Sequence, residues 1–129
     1  MSRLGEPFEI RGLKLRNRIV MSPMCQYMVD AEDGKPNDWH FVHYTSRAVG
    51  GTGLIIIEAT GVDPAGRITN RDLGLWSDEH IPHFRKIIDS LHRFGAKVAV
   101  QIAHAGRKAQ DAVPPVAPSP IPFGEGFRT

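Results

Sequence analysis

Residues Ile81–Ile102, IPHFRKIIDSLHRFGAKVAVQI, carry a helix, its stop and a strand in one passage. Ile81, Phe84, Ile87, Ile88, Leu91 and Phe94 recur at helical spacing and so share one apolar face. Pro82 suits the first turn, where a missing N–H removes no bond. Gly95 stops the helix, and Val98–Ile102 follows as a strand.

The same alternation runs backward along the chain. Leu54–Ile57 is a continuous β-rich run, as expected for a strand buried on both faces. Before it, Asn37 or Asp38 can cap a helix over Trp39–Val49, and Gly50-Gly51 ends that helix. Ile19–Ser22 reads as a first buried strand, closed by Pro23. Phe8–Leu15 alternates apolar and polar residues about Arg11-Gly12, a hairpin pattern. Asp30–Asn37 and Gly61–Ser77 read as polar loops, the second turning at Pro64–Gly66. Asp111–Phe123 holds five of the ten prolines, and no regular structure is expected there.

A hairpin followed by strand, helix, strand, helix and strand predicts a parallel sheet with right-handed crossovers. Three buried parallel strands cannot stand alone, because both faces need covering and both edges need neighbours. The sheet is expected to be completed by further sequence or by another chain.

Composition narrows the class. The 129 residues are 41% hydrophobic and 23% charged, enough for one ordinary domain with a core. A net charge of +2, with both signs interspersed, argues against nucleic acid or an anionic membrane as partner. The strongest apolar run is Leu54–Ile57, far short of a bilayer span, and the opening MSRLGE lacks the apolar core of a signal peptide. The cytoplasm is the expected compartment. Cys25 is the only cysteine, so no internal disulfide forms. A lone cysteine is usually a small buried hydrophobe unless a site surrounds it.

In parallel α/β folds, functional groups gather at the C-terminal ends of the strands. After the first strand come Ser22, Pro23, Met24, Cys25 and Tyr27; after the second, Glu58, Ala59 and Thr60; at the third, Gln101, then His104 and Arg107. This rim has small residues, a thioether, a thiol, a phenol and an amide, with few formal charges. It suits a flat aromatic ligand with polar edges. Gln101 is open to two readings. It is a satisfied structural amide, or it offers a donor and an acceptor together to a ligand edge. Inside such a strand its amide is expected to need a partner.

Other patterns carry less. Gly50–Gly53 follows a helix and opens a strand, the reverse of a phosphate-cradling loop. His40 with His43, and His80 with His83, have one-turn spacing but no Cys or acidic partners at zinc-site spacing. They read as helix-surface histidines, and no metal is expected. No G-x-S-x-G nucleophile elbow occurs.

Taken together, Ser22-Pro-Met-Cys25 with Tyr27, Glu58-Ala59, Gly66-Arg-Ile68, Leu75–His80 and Gln101-Ile-Ala-His-Ala-Gly-Arg107 resemble the old yellow enzyme family (NADH:flavin oxidoreductase / NADPH dehydrogenase), in its thermophilic-like branch. The likeness runs in unbroken order from residue 5 to about 123. It implies an α/β fold, the N-terminal portion of a TIM (β/α)8 barrel: about three βα units plus the hairpin. Residues 1–16 would be a cap, 17–110 the first βα units and 111–129 a Pro-rich loop. It implies FMN as cofactor and NADPH (or NADH) as reductant. Hydride would pass from NAD(P)H to FMN, then to the β-carbon of an α,β-unsaturated carbonyl.

By the same resemblance Ser22, Pro23 and Met24 line the flavin and Ala59 contacts it, while Gln101 binds its pyrimidine edge. Cys25 lies near the ring and tunes its redox behaviour, and Tyr27 points into the substrate pocket. Arg107 is read as loop-organising. The family's carbonyl-binding pair, its proton-donor Tyr and the basic residue at the flavin's N1 edge come from later strands. The phosphate site is built later still. This chain is therefore expected to need the rest of the barrel, and alone to be inactive and aggregation-prone. A homo-oligomer of the complete enzyme is expected. The other reading is a truncated, non-catalytic α/β assembly module completed by a partner chain.

Overall fold

A computed structural model describes residues 3–126. Residues 1–2 of the expected cap and 127–129 of the expected Pro-rich loop lie outside the described residues.

Strands β1 (Phe8–Ile10) and β2 (Leu13–Leu15) form the antiparallel hairpin, with Phe8 opposite Leu15. Arg11 (φ 44°) and Gly12 (φ 87°) both take the left-handed conformation that a tight two-residue hairpin turn requires. Of the strand residues only Leu15 is buried. Arg16, just beyond it, donates to the carbonyls of Phe94 (2.7 Å), Ala48 (2.8 Å) and Thr52 (3.0 Å), drawing both helix ends toward the hairpin. A guanidinium is favoured there, where helix carbonyls lack internal donors.

The main sheet is parallel. Strand β3 (Val20–Met21) pairs with the start of β4 (Leu54–Gly61), and β6 (Lys97–Ala103) runs along the length of β4. The two-residue β5 (Leu73–Gly74) pairs with Thr60 and Gly61 at the far end of β4. Three expectations shift. β3 is shorter than Ile19–Ser22. β4 runs on through Glu58, Ala59 and Thr60, with a register irregularity between Ile57 and Thr60. The segment read as a continuous loop, Gly61–Ser77, holds β5 and a 3-10 turn at Pro64–Gly66. Among the described residues, nothing from Asp111 onward is helix or strand.

Helices α1 (Asp38–Val49) and α2 (Ile81–Arg93) cover one face of the sheet. Asn37 is the N-cap of α1: its side chain accepts from Trp39 N–H at 3.0 Å, and His40 accepts from Asn37 N–H to close the box. Helix α2 ends at Gly95 (φ 81°), where a Cβ would lie 2.9 Å from the Arg16 guanidinium. Glycine is needed there for both reasons. The core joins Tyr44 and Ala48 of α1, Phe84, Ile87 and Leu91 of α2, and Ile55 and Ile57 of β4. Met21, Val29, Leu73 and Ala96 fill its margins. Each fully buried Ile or Leu stabilises the fold by about 1.5–3 kcal/mol.

The other face stays open. Ala99 and Gln101 of β6 are exposed, as is Val20 on β3. Among the described residues β6 has no strand neighbour besides β4. No described helix is long and apolar enough to cross a membrane.

Candidate functional site

Because β3, β4 and β6 are parallel, their C-terminal ends open on one rim. The chain leaves β3 at Ser22 and crosses this rim to Tyr27. Ser22 and Met24 are exposed, Pro23 and Cys25 partly buried, and Tyr27 is exposed at 39%. Tyr27 has φ 55°, an uncommon conformation for a bulky residue, so its surroundings must hold it.

They do so from several sides. Gln26 N–H donates to Glu58 Oε2 at 2.6 Å, a short charge-assisted bond. The Gln26 side chain donates to Met24 O at 2.8 Å, and the Asn37 amide to Met28 O at 2.6 Å. Val29 N–H donates to Arg71 O at 3.1 Å.

Glu58 is only 2% exposed. His40 Nε2 lies 3.1 Å from its Oε1, near enough for electrostatic attraction but not aligned for a hydrogen bond. His40 Nδ1 lies 3.2 Å from Asn37 N and 2.9 Å from Asn37 Oδ1, which fixes the ring against the helix cap. The Tyr44 hydroxyl accepts from Glu58 N–H at 3.0 Å, and burial pushes that phenol well up.

Cys25 is partly buried beside Tyr27. Burial raises its thiol pKa, and the negative charge of Asp72 adds to this; the Ala59 backbone and the Tyr27 hydroxyl pull the other way. Tyr27 is raised by its own burial and then by Cys25, so at neutral pH both groups stay protonated. Asp72, 5% exposed, is raised by burial, although Ile68 N–H (2.8 Å) and the Thr69 hydroxyl (3.0 Å) donate to it.

The loops beyond β4 and β6 are zipped together at the same end. Ala105 N–H donates to Gly66 O and Gln110 N–H to Ile68 O, each at 2.7 Å. A Cβ on Gly66 would come within 2.6 Å of the His104 ring, so the close approach needs glycine. Arg67 donates to Pro64 O, Glu32 O and Asn70 O and lies over the Trp76 ring at 5.0 Å. Arg107, read above as loop-organising, donates to the Ser119 hydroxyl at 3.0 Å.

Two expectations are corrected. Gln101 is exposed, because the sheet face that carries it is uncovered, so its amide is under no compulsion to find a partner within the chain. His40 and His80 are not helix-surface residues: they are 0% and 2% exposed. His40 faces Glu58, while the two His80 nitrogens lie 2.9 Å from Ser77 O and 3.1 Å from Asp33 O. Among the described residues, no group of three or more His, Cys, Asp or Glu could hold a metal.

Sequence reasoning named Glu58 without giving it a role, misread His40 as a surface residue and missed Asp72. One signal for Glu58 was available: a carboxylate following four apolar strand residues must be paired if buried.

What remains is a rim of neutral donors and acceptors on a parallel α/β sheet, with its carboxylates turned inward and already bonded. Parallel α/β sheets place their ligand sites at such strand ends. A profile of the NADH:flavin oxidoreductase / NADH oxidase family matches residues 3–126, and the chain belongs to that family. It is 54% identical over 126 residues to the NADPH dehydrogenase of Geobacillus sp. (strain WCH70), covering 98% of this chain and 37% of that protein. Among solved structures it superposes on TcOYE with pHBA (TM-score 0.86, 32% identity, 95% of this chain and 36% of the other). It also superposes on morphinone reductase (TM-score 0.84, 31% identity, 97% and 34%). The fold is thus the N-terminal portion of an old yellow enzyme TIM barrel, and the chain spans about a third of the length of the relatives it matches.

Proposed function

We propose that this chain forms the flavin-lining part of an FMN-dependent ene-reductase, using NADPH or NADH to reduce an α,β-unsaturated carbonyl. The observation that carries the reading is the uncommitted polar edge of the rim. Among the described residues, the Ser22 hydroxyl and the Gln101 amide have no partner within the chain; Ser22 directly follows β3, and Gln101 lies two residues before the end of β6. Neutral groups held open in this way fit the flavin's uncharged ring. When bound, FMN would supply the two-electron chemistry that side chains cannot.

The chain's own residues would bind and orient. Ser22, Pro23 and Met24 would lie along the ring through their backbone, Ala59 would touch it, and Gln101 would offer donor and acceptor to the pyrimidine edge. Cys25 and Tyr27 would face the substrate side. Both stay protonated at neutral pH and so can donate to a carbonyl oxygen. The basic and proton-donating groups of the reaction, and the phosphate site, would come from the polypeptide that completes the barrel. Residues 1–16 would then serve as a cap, 17–110 as the first βα units and 111–129 as a loop over the rim. We further place the complete enzyme in the cytoplasm as a homo-oligomer.

The test is NADPH consumption by the completed barrel with 2-cyclohexenone. Enone-dependent oxidation is expected. A flavin-loaded barrel that oxidises NADPH only with oxygen and is indifferent to the enone would overturn the substrate reading.

A further inference from the structure

Glu58 is an ionisable residue in a strand that otherwise reads as apolar, and it is almost wholly buried. A buried carboxylate is costly to keep, and an apolar residue of similar size would pack as well or better. Its contacts show where it acts. Oε2 takes the peptide N–H between Cys25 and Gln26 at 2.6 Å, and Oε1 faces His40 at 3.1 Å. Its own N–H donates to Tyr44, one helical turn beyond His40. Asn37, the cap of the same helix, donates to Met28 O just past Tyr27. Strand β4 and helix α1 therefore both hold the segment that carries the rim's thiol and phenol. That segment contains Tyr27 in the left-handed conformation, which only outside restraint can sustain.

We propose that Glu58 is a positioning residue: held by Tyr44 of α1 at its backbone N–H and with His40 of α1 beside its carboxylate, it fixes the Cys25–Gln26 peptide and so places the Cys25 thiol and Tyr27 phenol at the rim. This rests on the reading of the rim as a reductase site. Helix α1 is thereby part of the site without reaching it, since a shift of α1 moves His40 and Tyr44 and, through Glu58, the rim segment.

The experiment uses Glu58→Gln in the chain completed by the rest of the barrel. The amide keeps the shape but replaces the charged acceptor of Gln26 N–H with a neutral group. The rate of Cys25 alkylation by iodoacetamide is followed against pH. The charges facing Cys25 are Asp72 before β5 and Glu58 on β4, with the phenols of Tyr27 and of Tyr44 on α1 beside it. With Glu58 neutralised, the midpoint moves to lower pH, and kcat/KM for the enone falls about a hundredfold through kcat, as for a misplaced reacting geometry. An unmoved midpoint with unchanged kinetics overturns the proposal. So does faster alkylation at every pH with the same midpoint, which marks a loosened loop and nothing more.

Should the variant fail to fold, amide exchange in the unaltered protein decides. Gln26 N–H lies outside any helix or strand, yet is expected to exchange at least about a hundredfold more slowly than an open loop amide, because its acceptor is buried. Exchange at the open-loop rate overturns the proposal. Alkylation and exchange need neither flavin nor NADPH. If both behave as expected while the unaltered protein reduces no enone, positioning stands and the reductase reading falls.

Discussion

Cys25 shows how the surroundings of one residue set its chemistry. Helix N-termini and neighbouring cations activate thiols; this one has burial and the Asp72 carboxylate instead, both of which favour the proton. The sign is plain: the anion is disfavoured, so thiolate appears only above the ordinary thiol range of about 8.5. Alkylation of Cys25 should therefore be slow at pH 7 and rise at a higher pH than for a free thiol. Asp72→Asn should bring the midpoint down, because the amide oxygen can still accept from Ile68 N–H while the charge is gone. A midpoint at or below that of a free thiol, or no response to the substitution, would contradict this. Much at this scale was legible. Ser22–Cys25 and Tyr27 follow β3 as patterning placed them, whereas Ala59 and Gln101 lie two residues inside the ends of β4 and β6, which run longer than patterning showed. The pairing of His40 with Glu58 was not legible, since it joins residues 18 positions apart through a helix orientation that periodicity does not fix.

At the scale of elements, the parallel order and both long helices follow from apolar spacing and glycine stops. The cap of α1 was narrowed to Asn37 or Asp38; the structure chooses Asn37, which also ties the helix start to the rim segment at Met28. Asn37→Ala should cost about 1 kcal/mol from the cap alone, read as a lower urea midpoint of the completed barrel; an unchanged midpoint would show that the cap is idle. Ile57→Ala, at the centre of the core, should cost about 2–5 kcal/mol by the same measurement. Strand β5 and the irregularity in β4 escaped sequence reading for separate reasons. Two residues carry no period, and a register shift depends on what the neighbouring strand does.

At the scale of the molecule, the sheet is open where a barrel would close. Val20 and Ile102 lie exposed on its strands, at 45% and 66%, and a groove of about 200 Å³ beside α2 is lined by Ile57, Leu75, Phe84, Ile88, Val98 and Val100. An exposed strand edge beside apolar surface invites association. The chain alone should therefore aggregate in light scattering, whereas a monomer with one sharp unfolding transition would count against this. Completion of the barrel by further polypeptide would cover that edge and groove and bring the missing side of the flavin site to the rim. The most direct test is the visible absorption spectrum of the chain co-purified with the polypeptide that completes the barrel, after desalting. Retained flavin bands, weakened in Gln101→Ala and absent from the chain alone, are the predicted result. An assembled but colourless barrel would contradict the account.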